Sequence, residues 1–196
     1  METEALTSAV DVITGIPLSR AQKPTAKDDP LDAEVLMPQA VAASGVDRAL
    51  TERRQVYGAG AQFFTREGDV VLKASPPYDC AYIGDGDADL LVTSTCLILR
   101  PIDGDASVGR YLAAYFSGER GASELRAMSK GTTVRTIKKK DLESAPIPVL
   151  SREARQKVAA AHEQVHALKE LCAAFERKCE LLLASELDRI IQNNDN

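Results

Sequence analysis

The chain has 196 residues, 44% of them apolar and 27% charged, with a formal net charge of −5; this is the composition of a globular chain long enough to bury a sizeable core. No apolar run reaches the roughly 20 residues of a membrane span, and the opening residues lack the basic-then-apolar pattern of a secretion signal, so neither a membrane nor an exported protein is expected. Four cysteines, Cys80, Cys96, Cys172 and Cys179, show no CxxC knuckles or disulfide framework, and the expected compartment is the reducing cytoplasm.

The charge is unevenly spread. Residues 1–99 carry a net −7, residues 100–157 +5 and residues 158–196 −3. The whole chain repels a polyanion, so any nucleic-acid contact has to come from a local patch in the middle third.

Short apolar runs at residues 10–13, 68–74 and 89–101, separated by Gly, Pro and Asp clusters, predict buried strands, with residues 90–100 the clearest. Residues 19–31 read as a loop and residues 85–89 as a tight turn. Helical character begins at Val108, where Tyr111, Leu112, Tyr115 and Phe116 share a face that ends at Ser117 and Gly118. A second short helix is expected over residues 122–128. Residues 132–137 then alternate as a strand does, residues 138–142 make a turn, and residues 145–148 are extended because each proline restricts its predecessor.

From Ser151, a plausible N-cap, the chain carries no Gly or Pro. Val158, Ala161, Val165, Leu168, Cys172, Phe175, Cys179 and Leu182 recur at alternating spacings of three and four, which makes them heptad a and d positions. Beyond Leu182 the stripe moves to Leu183, Leu187 and Ile190, a four-residue stutter. Such a helix is about 55–60 Å long and needs a partner for its apolar seam. The predicted layout is an α+β fold: a strand-rich globular domain over residues 1–150, a long coiled-coil helix over 151–191 and a disordered tail over 192–196.

Candidate chemistry is sparse. Asp85, Asp87 and Asp89 begin like a calcium loop, but its sixth and twelfth positions are Leu90 and Cys96 instead of Gly and Glu, so they read as a solvated turn. His162 and His166 have metal-ligand spacing on a helix without a third ligand nearby, and no metal site is assigned. Cys80 and Cys96 lack a nearby histidine and read as structural thiols. An enzyme is not expected. The basic run is more informative: Lys130, Arg135, Lys138, Lys139 and Lys140 are interleaved with Gly131, Thr132 and Thr133, a mixture suited to phosphate contacts. On composition alone, a solvated face stands level with a phosphate-binding one.

The sequence KGTTVRTIKKKDLESAPIPVLSREARQKVAAAHEQV, residues 130–165, resembles the end of a target-recognition domain in the specificity subunits of type I restriction-modification systems. There a Gly-small-polar strand leads into a DL-x-x-x-x-I-P segment and a long helix. ITGIP at residues 13–17, GDVVLK at 68–73, VTSTCLILRP at 92–101 and VGRYLAAYFSGERG at 108–121 are similar to further family motifs in the same order. Helix entry departs from the pattern, reading LSREARQ at residues 150–156 where the family has Pro-Pro-x-x-Glu-Gln. The chain also has one domain and one helix where members usually have two of each, so it resembles a half-subunit.

The resemblance implies residues 1–150 as the target-recognition domain of a non-catalytic subunit that holds no cofactor itself. It also implies double-stranded DNA, DNA adenine methyltransferase subunits that use S-adenosylmethionine, and a restriction subunit as partners. A half-subunit pairs with a second copy through Val158, Ala161, Val165, Leu168, Cys172, Phe175, Cys179 and Leu182. Lys169 and Glu176 meet across the seam only when the helices run antiparallel, a weak preference of tenths of a kcal/mol. An antiparallel homodimer carries its two readers on a two-fold axis and reads a bipartite palindrome with a fixed gap. Leu171 and Leu183 widen the apolar face and are expected to dock the modification subunits. Base readout is expected from Lys73, Ser75, Tyr78, Thr132, Thr133 and Arg135, and phosphate contact from Lys130, Lys138 and Lys139. The alternative is a coiled-coil interaction module, or a silent specificity fragment, that does not discriminate DNA sequence.

Overall fold

The computed structural model describes residues 2–24, 28–130 and 135–194, without the side chains at 166, 170, 188 and 192–194. Strands β1 (Thr3–Ala5) and β2 (Val10–Thr14) are followed by the one-turn helix α1 (Leu18–Ala21), β3 (Leu31–Leu36), the hairpin of β4 (Val41–Ala42) and β5 (Gly45–Val46), and β6 (Glu52–Val56). Then come β7 (Val70–Lys73), β8 (Cys80–Tyr82), β9 (Leu91–Val92), β10 (Cys96–Pro101), α2 (Ala106–Ser117), α3 (Glu119–Met128), α4 (Lys139–Glu143), β11 (Pro146–Pro148) and α5 (Arg152–Asn194). The chain divides into two units, residues 1–159 and 160–196.

The first unit is built on a four-stranded antiparallel sheet in the order β2-β10-β7-β8. Its central strands are apolar on both faces, as strands covered on both sides must be. Val70, Leu72, Leu97 and Leu99 pack with Tyr111, Leu112 and Phe116 of α2, Leu125 of α3 and Leu142 of α4. Val71, Cys96 and Ile98 point the other way, onto Leu36, Val41, Leu90 and Val92. A second sheet, β6-β3-β9, has a smaller core of Val35, Val56 and Leu91 with Ile16 and Ala21. β1 pairs with β11, joining the chain's start to the segment just before α5.

The α+β class and the long helix agree with the sequence expectation, and Ser151 caps the helix: its Oγ accepts from the Ala154 amide at 3.2 Å. Several local expectations are corrected. Residues 90–100 form two strands, because β9 pairs parallel with β3 whereas β10 joins the central sheet, and a turn at residues 93–95 separates them. Residues 138–142 contribute the helix α4, and the expected loop at residues 19–31 begins inside α1 and ends on the first residue of β3. α5 continues to Asn194, past its expected end at Ile191, since no Gly or Pro stops it. The expected strand at residues 132–137 lies partly outside the described residues; Thr136 pairs with Lys130.

Asp69, the one charged residue that is buried among the described ones, pairs with Arg100. Arg100 donates from Nε to Asp69 Oδ1 at 3.0 Å and from Nη2 to Oδ2 at 2.7 Å, a bidentate contact, while the Asp69 side chain is 1% exposed. The Arg66 amide donates to the same carboxylate at 2.9 Å, and the Phe64 carbonyl accepts from Arg100 Nη2 at 2.7 Å. Gly68, at φ +92°, makes the turn before Asp69, and Gly109 of α2 lies so close that a Cβ there would be 2.0 Å from the Gly68 carbonyl. The GD and RP motifs thus meet in one buried ion pair. Removing one partner of such a pair strands the other without compensation. Asp69→Ala is expected to cost about 3–5 kcal/mol of unfolding free energy in a denaturant titration, and Lys157→Ala, which breaks an exposed pair with Glu153, less than about 1 kcal/mol.

Candidate functional site

The far ends of β7 and β10 carry the site. The turn between β7 and β8 is closed at its base by two contacts between the same residues: the Lys73 amide donates to the Asp79 carbonyl at 2.9 Å, and Lys73 Nζ lies 2.9 Å from Asp79 Oδ2. Pro76 and Pro77 are exposed at its tip. Tyr78 adopts φ 62°, and its amide donates to the Ser75 carbonyl at 3.0 Å.

Ala74 joins three loops through its main chain. Its amide donates to the Thr95 carbonyl at 2.9 Å, and its carbonyl accepts from the Ile137 amide at 2.8 Å. The third loop is closed where Lys130 and Thr136 exchange two main-chain hydrogen bonds, at 3.2 and 2.9 Å. Tyr78 adds a side-chain link, its hydroxyl donating to the Arg135 carbonyl at 3.1 Å. Thr95 is exposed, its Oγ1 lying 2.9 Å from that of the buried Thr93. Residues distant in sequence are held together here by hydrogen bonds that solvent barely reaches at Ala74, which is 6% exposed.

The expected readers and phosphate contacts divide on inspection. Lys73 is mostly buried, its side chain 13% exposed and paired with Asp79. Tyr78, expected as a base reader, is 7% exposed and packs in the main core. Lys130 Nζ pairs with Asp141 at 2.8 Å and Lys139 Nζ with Glu143 at 3.6 Å. Arg135, Lys138 and Lys140 are exposed and make no ion pair among the described residues. Ser75 is half-buried beside the proline tip. Thr132 and Thr133 lie outside the described residues.

Thr95 and Asp79 were not among the residues expected from the sequence, whereas Lys140 belongs to the basic run singled out there. Opposite charges flanking a Pro-Pro turn, Lys73 and Asp79, were the available signal for the clamp. Thr95 carried none, because only the pairing of β7 with β10 brings it to Ala74.

On α5, Ala161, Val165, Leu168, Cys172, Phe175, Cys179 and Leu182 are exposed within the chain, as are Leu171 and Leu183. Val158 is half-buried against the core of the first unit, and the exposed part of the stripe begins at Ala161. No group of three or more His, Cys, Asp or Glu among the described residues is arranged to hold a metal ion, and no helix among them is long and apolar enough to cross a membrane.

No protein-family model matches the sequence, and no curated protein is similar to it in sequence. Among solved structures, the chain is similar to one from a study of complex assembly and conformational transition in the type I R-M system: 20% identity and a TM-score of 0.59 over 92% of this chain and 43% of that one. It is also similar to the HsdS subunit from Thermoanaerobacter tengcongensis, with 14% identity and a TM-score of 0.51 over 89% of this chain and 47% of that one. The likeness is one of fold. It extends over less than half of each of those chains, and it agrees with the family resemblance read from the motifs.

The two core thiols are chemically quiet. Burial pushes Cys80 up to about 11, and its Sγ lies 3.6 Å from the Ala113 carbonyl and 3.5 Å from Ser117 Oγ. Burial likewise pushes Cys96 up to about 11. A thiol with that pKa is only about one-thousandth thiolate at pH 8. A thiol-reactive probe at pH 8 is therefore expected to leave Cys80 and Cys96 unlabelled in the folded chain and to label both in denaturant; native labelling at the rate of a free thiol would contradict their placement.

Proposed function

We propose that this chain is the DNA-reading half-subunit of a type I restriction-modification system: two copies pair through α5 as an antiparallel homodimer, read a bipartite palindrome and direct a DNA adenine methyltransferase. The observation that carries the reading is the set of three loops joined at Ala74, where Arg135, Lys138 and Lys140 are exposed and make no ion pair among the described residues, on a fold found in HsdS. Exposed cations supply phosphate contacts, and loops joined to one another present hydroxyls and amides to base edges as a unit. The chain itself is non-catalytic in this reading. S-adenosylmethionine belongs to the methyltransferase, and a restriction subunit joins the same assembly.

The dimer follows from the exposed stripe on α5. Phe175 is 67% exposed, Leu168 60% and Leu182 60%; burying each is worth about 1.5–3 kcal/mol. Leu171 and Leu183, outside the two-helix seam, would meet the methyltransferase subunits. The two-fold axis of such a dimer makes the half-sites inverted repeats, and the helices set the gap between them. The bulk charge of −5 makes the methyltransferase a second source of DNA affinity.

Selection from a randomised duplex pool tests the function, first with the chain alone and then with the methyltransferase subunit. A palindrome with a fixed gap is the expected enrichment. A single unpaired motif would keep DNA reading and sink the two-fold model, while no enrichment in either pool would leave an interaction module. Helix orientation has its own test in a Cys172→Ser variant. In the antiparallel register that layers Cys172 with Phe175, the two Cys179 residues lie about 16 Å apart along the axis, beyond disulfide reach; in a parallel pair they face each other. Mild oxidation is expected to give no cross-linked dimer on a non-reducing gel although sedimentation shows two chains.

A further inference from the structure

Lys73, Lys130, Arg135, Lys138, Lys139 and Lys140 lie in or next to the chain segments joined at Ala74, and among the described residues three of these cations are ion-paired. Lys73 is spent on Asp79, Lys130 on Asp141 and Lys139 on Glu143. The three pairs are not equivalent. Lys130 and Lys139 have side chains 66% and 48% exposed and can swing to another partner at little cost, because such pairs are worth tenths of a kcal/mol to about 1 kcal/mol. Lys73 is 13% exposed, and its main-chain amide donates to the residue that its ammonium pairs with. Reaching a phosphate would require it to abandon Asp79 and leave that carboxylate facing the same phosphate.

The turn that Lys73 and Asp79 close is also the turn that ends in Tyr78. The Tyr78 ring is anchored in the core, and its hydroxyl holds the carbonyl of Arg135, a cation without an ion pair among the described residues. The clamp and the tyrosine therefore act in series, and displacing either moves the Pro76–Pro77 tip relative to Arg135.

Resting on the DNA-reading proposal, we infer that Lys73, through Asp79, and Tyr78, through Arg135, are positioning residues that touch no DNA, and that the contacts come from Arg135, Lys138 and Lys140 together with Thr95 and the Pro76–Pro77 tip. This divides a basic run that looks uniform in sequence into contacts and supports. Phosphate contacts add to affinity for every sequence, whereas supports set the geometry on which discrimination depends.

The test uses the full chain and two duplexes, the selected site and a scrambled one, with affinities measured between about 50 and 200 mM salt. Lys138→Ala and Lys140→Ala are each expected to weaken both duplexes alike and to flatten the salt slope by about 0.9. Lys73→Met and Asp79→Asn are each expected to keep the slope and lower the preference for the selected duplex by about tenfold or more, with the double variant no worse than either single one. Tyr78→Phe keeps the buried ring and is expected to lower the preference in the same way, so the inference stays testable even if Lys73→Met fails to fold. The opposite result is equally definite. If Lys73 touched phosphate, Asp79→Asn would free it, and binding would tighten with a steeper slope and an unchanged preference; that outcome overturns the inference, as do unchanged slopes for Lys138→Ala and Lys140→Ala. A wild-type chain without preference for any duplex overturns the DNA reading itself, and with it this assignment.

Discussion

The buried pair of Asp69 and Arg100 is the constraint on which the first unit depends. Asp69 immediately precedes β7 and Arg100 lies near the end of β10, and the two strands pair with Val70 opposite Leu99 and Lys73 opposite Cys96. A slip of β7 by one residue would move Val70 and Leu72 from the helix-facing side to the other, away from Leu97 and Leu99, and would separate the carboxylate from its guanidinium. The pair fixes register at one end of the strands. The other end delivers the turn after Lys73 and the loop before Cys96 to each other, which is why a stabilising contact and a candidate site are parts of one argument. Gly68 and Gly109 serve the same end by letting α2 approach the turn that positions Asp69.

Charge in this protein is informative only after it has been assigned to partners. The total of −5 argues against binding a polyanion, and the +5 of residues 100–157 argues for it. Neither figure describes what a ligand would meet. Asp79, Asp141 and Glu143 neutralise half of the cations around Ala74, and the remainder, Arg135, Lys138 and Lys140, lie on one short stretch of chain. Asp85, Asp87 and Asp89 follow β8, and burial raises Asp87 above the ordinary carboxylate range.

The long helix poses a different problem. Its first turns belong to the globular core, through Val158 and Ala159, whereas residues 161–191 expose a stripe of Val, Leu, Phe and Ile side chains over many turns. Exposed apolar surface on that scale marks an interaction site in a globular protein. The heptad spacing suits another helix, and the residues outside the seam leave room for a further partner. In the proposed assembly the same element joins two readers and fixes the distance between them.

Much of this was legible in the sequence because it is local. Four heptads of apolar spacing, a chain free of Gly and Pro and a Ser N-cap specify a long helix wherever it occurs, and Gly118 ends α2 at the expected position. The uninterrupted apolar runs of β7 and β10 announced strands buried on both faces. β3 and β6, by contrast, read as mixed polar segments, LDAEVL and ERRQV, because one edge or face of each meets solvent. Tertiary structure alone decided that residues 90–100 break into two strands belonging to different sheets, that Tyr78 turns into the core, and that Ala74 ties Thr95 to Ile137. It also decided that Lys73, Lys130 and Lys139 are ion-paired. Helix periodicity and capping are set by neighbours a few residues apart and leave a repeating trace in the chain, whereas ion pairs and main-chain hydrogen bonds between distant loops depend on strand register, and register exists only once the core has formed.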